Sequence, residues 1–184
     1  KATHAGINPE DGINSIEEIA HQILKLQGMT DLDRGTTVTV GVVRGGTRPN
    51  VVPAESEIEM DTRITSIHEA ERITAAVRAL SPVLSGSKIE VHGQINRPPM
   101  EHTADTARLF MLARELAAEI GHHLQEGSTG GASDGNFTAS LGVPTLDGLG
   151  TIGLGAHQVD EHIEIDQLPW RTALVAGLIE RIHM

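Results

Sequence analysis

Glu55-Ser56-Glu57-Ile58-Glu59-Met60-Asp61-Thr62-Arg63-Ile64 changes character at every step. Glu55, Glu57, Glu59, Asp61 and Arg63 fall on one side, and Ile58, Met60 and Ile64 on the other. A period of two marks a half-buried antiparallel strand with a wet polar face. Upstream, Val38, Val40 and Val42 alternate with Thr37, Thr39 and Gly41, which predicts a second strand over 36–43. Gly45-Gly46 turns the chain after it. Further upstream, Asn14 and Glu17 form a capping-box-like pair ahead of Ile16, Ile19, Ile23 and Leu26, one helical face that Gly28 ends. Lys1 to Gly6 is read as a short first strand. Downstream, Ser66 and Glu69 open a helix carrying Ala70, Ile73, Val77 and Leu80, which Pro82 stops. Lys88 to Ile95 is read as the closing strand. The order is βαββαβ, which predicts an α+β, ferredoxin-like layer: a four-stranded antiparallel sheet with two helices on one face.

Asn96-Arg97-Pro98-Pro99 breaks the pattern, so the expected division is 1–97 and 98–184. In the second part, Thr103 opens a long helix whose apolar stripe runs from Leu109 to Ile120. A glycine-rich loop, a short helix over 136–141, a short strand over 144–146 and a last helix capped by Asp166 follow. Helices with so few strands predict part of an α/β layer whose main sheet lies elsewhere.

The bulk composition narrows the function classes. The chain has 184 residues, 39% hydrophobic and 21% charged, with no Cys and a formal net charge of −11. That charge argues against a broad basic surface for nucleic acid. No apolar run approaches the roughly 20 residues of a membrane span. No basic-then-apolar segment opens the chain, and the expected compartment is the cytoplasm.

Several residues carry chemistry. His157 ends the run Gly153-Leu154-Gly155-Ala156, which is how a loop delivers one imidazole into a tight space. Zinc wants three or four ligands, so His157 alone makes no site. Glu161 and His162 follow and are read as solvated. Ser133 and Asp134 with His157 would suit a serine hydrolase, but the G-x-S-x-G elbow is missing. The alternative use of Gly130 to Asn136 is a lip of backbone N–H groups, Gly131 and Ser133 among them, for a substrate carboxylate. It is also open to being a flexible turn.

Five pieces in order carry a resemblance: Thr3-His4-Ala5-Gly6, Gly45-Gly46 with Asn50-Val51-Val52-Pro53, Asp61-Thr62-Arg63, Gly130 to Asn136, and Gly155-Ala156-His157. Together they resemble the M20 metallopeptidases, most of all glutamate carboxypeptidases and their aminoacylase and deacetylase relatives. The resemblance implies a lid, or dimerisation, domain over 1–97 and the C-terminal portion of a zinc catalytic domain over 98–184. It implies that His157 is one ligand of a two-zinc site, incomplete in this chain, and that His4 reaches the partner's site in a homodimer to stabilise an oxyanion. Asn50, with Arg63 or Arg97, would hold a substrate carboxylate. No H-x-D motif and no paired Glu-Glu motif is read in the chain, so it is expected to be a fragment without its general base. The implied reaction is hydrolysis of an amide beside a free carboxylate, in a peptide or N-acyl amino acid. The alternative is a non-catalytic dimerisation and substrate-binding module.

Overall fold

A computed structural model describes residues 1–182. The chain forms two compact units, Lys1–Pro99 and Met100 onward.

In the first unit, β1 (Thr3–His4) leads through a single tight turn to α1 (Ser15–Gln27). Asn14 caps α1 as its sequence demands: its Oδ1 accepts from the N–H groups of Ile16 and Glu17. β2 (Thr37–Gly45) and β4 (Ser56–Arg63) form a long antiparallel ribbon. Between them, β3 (Val51–Val52) pairs with β1, setting Thr3 against Val52 and His4 against Val51. The ladder slips between Val40 and Val42, leaving Gly41 as the extra residue of a bulge. Cross-strand charge follows the register. Arg44 sits opposite Glu57 and holds both Glu57 and Glu59. α2 (Ile67–Arg78) starts at Ser66, whose hydroxyl accepts from the Glu69 N–H. Leu26, Val38, Ile73 and Val77 meet in the core, with Val40 and Ile58 against them.

Two expectations change here. The fourth strand over 88–95 does not form: those residues join no ladder among the described residues, and the first unit holds two separate two-stranded pairings. Alternation in this segment signals one apolar face and does not specify a partner. The α1 face also differs. Glu18, Gln22 and Leu26 are buried, whereas Ile16 is 42% exposed. The Glu18 carboxylate accepts from the N–H groups of Val83 and Leu84, from Ser87 Oγ and from Gln22 Nε2. Burial alone would raise its pKa. The donors at Leu84, Gln22, Ser87 and Val83 outweigh that and hold it at about 2. Glu69 is likewise held at about 2 by Arg72 and Thr36, against its burial.

In the second unit, α3 (Ala104–Glu119) starts at Thr103, whose hydroxyl accepts from the Thr106 N–H. α4 (Gly135–Ser140) is short. β5 (Gly153–Leu154) and β6 (His162–Ile163) form a small hairpin in place of the strand expected over 144–146. α5 (Leu168–Arg181) closes the unit. Asp166 does not cap it. It lies in a tight turn over Ile165–Gln167, and Gln167 precedes the helix. Ala113, Leu116 and Ala117 of α3 pack on Leu174 and Leu178 of α5. Gly177 permits the close approach, since a Cβ there would stand 3.1 Å from a Leu116 methyl.

Candidate functional site

His4 and Asn50 arrive at one corner of the first unit. The β1–β3 ladder places His4 beside Val51, and the Ala5 N–H donates to the Asn50 carbonyl at 3.0 Å. His4 Nδ1 accepts from the Gly6 N–H at 3.1 Å. An acceptor nitrogen carries no proton, so the neutral ring keeps its proton on Nε2 and presents that N–H as a donor.

Arg63 lies elsewhere. It ends β4, and its Nε donates to Asp61 at 2.6 Å. The eight residues of β4, at about 3.3 Å each, put Arg63 roughly 23 Å from Ser56. The His4–Asn50 corner belongs to the Ser56 end, where β2 turns back toward β4. Arg97 is half-buried at the end of the first unit.

His157 stands in the loop that joins β5 to β6, at φ 65°, and is the sole non-glycine residue with positive φ among the described residues. That conformation is sterically uncommon and clusters at functional positions. The loop is braced: Gln158 N–H donates to the Gly155 carbonyl at 2.8 Å, and His157 N–H donates to the Glu161 carboxylate at 3.2 Å. The expectation that Glu161 is merely solvated therefore changes, since it supports the His157 backbone. His162 Nδ1 donates to the Asp160 carbonyl at 2.8 Å.

The glycine loop before α4 spends its donors internally. Gly131 N–H donates to Thr129 Oγ1, Ser133 N–H to Asn136 Oδ1, and Gly135 N–H to Ser133 Oγ. A lip aimed at a substrate carboxylate would need those N–H groups turned outward. The Ser133 hydroxyl accepts from the Gly135 N–H at the start of α4, which supports a local structural use over a nucleophilic one.

Arg171 went unnoticed in the sequence. It is 8% exposed, and it donates to the Gly150 carbonyl at 2.7 Å and to the Gly148 carbonyl. Its guanidinium lies 5.0 Å from the Trp170 ring centre, and Trp170 stacks on His122 at 4.3 Å. Burial works against its charge. The signal was present, because Arg171, Leu174 and Leu178 share one helical face.

Among the described residues, no cluster of three His, Cys, Asp or Glu side chains could hold a metal ion. His157 has the right chemistry for one ligand, yet these residues do not by themselves fit a zinc site. One Glu-Glu pair does occur, Glu17-Glu18 in the first turn of α1. Glu18 is committed to the Val83–Leu84 backbone and is no general base.

Residues 1–88 match the peptidase dimerisation domain of the M20 family. Over 183 residues the chain is 28% identical to carboxypeptidase G2 of Pseudomonas sp. (strain RS-16), covering 97% of this chain and 44% of that protein. It is 32% identical over 149 residues to succinyl-diaminopimelate desuccinylase of Xanthomonas oryzae pv. oryzae (strain MAFF 311018). That match covers 80% of this chain and 39% of the relative. Residues 1–88 carry the M20 peptidase dimerisation domain, and the chain is similar to M20 peptidases over nearly its whole length. A tripeptidase from Staphylococcus aureus subsp. aureus Mu50 shares the fold, with a TM-score of 0.75 at 24% identity. It is matched over 98% of this chain and 48% of its own length. The chain thus spans less than half the length of these relatives. Among the described residues, no helix is long and apolar enough to cross a membrane.

Proposed function

We propose that this chain is the dimerisation domain and the C-terminal catalytic portion of a zinc-dependent amidohydrolase. That enzyme cuts an amide bond beside a free carboxylate in a peptide or an N-acyl amino acid. The supporting observation is the corner that joins His4 to Asn50. Hydrolysis of an amide passes through a tetrahedral intermediate with a negative oxygen, which needs a placed donor. His4 Nε2–H is such a donor, because the Gly6 N–H occupies the other ring nitrogen. Asn50 contributes a neutral amide next to it.

In this reading the groups divide between the two subunits of a homodimer. His4 works in the partner's site, and Asn50 with Arg63 or Arg97 holds the substrate carboxylate. The dimerisation-domain match supports the homodimer. Zinc in this reading is held jointly by His157 and by residues outside this chain, and the general base lies outside it as well.

The test uses two proteins. The full-length parent should hydrolyse N-acyl amino acids or short peptides, and a chelator should abolish turnover. The isolated 184-residue chain should be inactive. Turnover by that pure chain, lost on chelation, would overturn the shared-site reading. A parent that cleaves no such amide would overturn the hydrolase reading. The alternative is a dimerisation and substrate-binding module without catalysis. Zinc titration separates the two: a complete site in the parent binds two ions tightly, and a module binds none.

A further inference from the structure

We infer that Arg48 belongs to the His4–Asn50 corner and binds the substrate's free carboxylate there. This rests on the hydrolase reading above and names the group in it that grips the substrate's charge. Val51 N–H donates to the Arg48 carbonyl at 3.2 Å, closing a β-turn with Pro49 and Asn50 at its centre. Pro49 presets the backbone there, and the Ala5 N–H fixes the Asn50 carbonyl to β1. His4, Arg48 and Asn50 therefore project from a few residues of mutually bonded backbone.

Charge supplies the second observation. Arg34, Arg44, Arg63 and Arg72 of the first unit each hold a carboxylate at 3.3 Å or less. Arg48 is exposed and pairs with none among the described residues, in a chain with 25 acidic against 14 basic side chains. Lys1, Lys25 and Arg78 are also without a carboxylate partner there, but Lys25 and Arg78 each lie in the last turn of a helix, where they complement the end carbonyls, and Lys1 carries an ammonium without a planar fork. Arg48 stands on a turn and has no such use. A guanidinium offers a planar fork that matches a carboxylate, and Arg63 has already committed its Nε to Asp61. The corner would then supply a donor for the oxyanion from His4, an amide from Asn50 and a cation for the carboxylate from Arg48.

The experiment uses the full-length parent with two substrates, an N-acyl amino acid and the same compound with its carboxylate converted to a carboxamide. Arg48→Ala should raise KM for the first by about ten- to a hundredfold, the scale of a charge-assisted hydrogen bond, with kcat little changed. KM for the carboxamide should barely move. Arg48→Lys keeps the charge without the fork and should recover part of the loss. Equal effects on both substrates, or none on either, would overturn the assignment while leaving the hydrolase reading intact. A parent inactive on every such amide would sink both.

Discussion

Glu18 shows how much can rest on one side chain. Its carboxylate holds two backbone N–H groups more than sixty positions away in the chain, those of Val83 and Leu84. Glu18→Ala strands both partly buried donors, and should cost about 1–3 kcal/mol in urea unfolding at pH 7. The pH dependence has a definite sign. The folded pKa of about 2 lies below the usual carboxylate value. Its stabilisation is therefore complete above roughly pH 4.5 and is lost as pH falls toward 2. The stability gap between wild type and Glu18→Gln should narrow across that window. A gap that stays constant would show that the ionised form is not what the loop requires. The caps Asn14, Ser66 and Thr103 were legible in the sequence because a cap and its target lie two or three residues apart. Glu18 was not legible, because its partners are distant and a charge beside a helix stripe is normally solvated. Arg48 was passed over for the same reason: its meaning comes from neighbours joined only through the β1–β3 ladder.

At the scale of elements, α5 and the β5–β6 hairpin are tied by Arg171. Its two bonds, to the Gly148 and Gly150 carbonyls, lie just before β5. Arg171→Met keeps most of the bulk and removes the donors. Amide hydrogen exchange should then quicken between 148 and 163, with a stability loss of about 2–3 kcal/mol. Unchanged exchange in the hairpin would mean that Arg171 only fills space. The long helices and the β2–β4 ribbon could be read in advance, since their periods repeat over several turns or alternations. The β5–β6 hairpin could not, because two-residue strands have no period to detect. The segment 88–95 failed in the opposite way: its alternation was visible, but alternation does not name a partner strand. Of the candidate site, the His157 loop was legible from its glycines, whereas its positive φ and the Glu161 brace needed coordinates.

For the whole molecule, the homodimer reading makes a quantitative statement about mixtures. In the full-length enzyme, His4→Ala should lower kcat by about 10²–10³, the scale for one oxyanion donor. Mixing His4→Ala subunits with subunits lacking His157 should restore activity. Random assembly makes about half the dimers mixed, each with one sound site of two, so roughly a quarter of wild-type turnover should return. No recovery, with mixed dimers shown to form, would place His4 in its own subunit's site or in none. The β1–β3 corner that presents His4 carries this further. A catalyst whose complementary groups come from two polypeptides obeys a dilution law. Below the dissociation constant, the associated population varies as the square of total chain, so turnover per chain falls in proportion to concentration. Assays at nanomolar enzyme would then report association as much as chemistry, and saturating substrate, by bridging two subunits, would act as a glue.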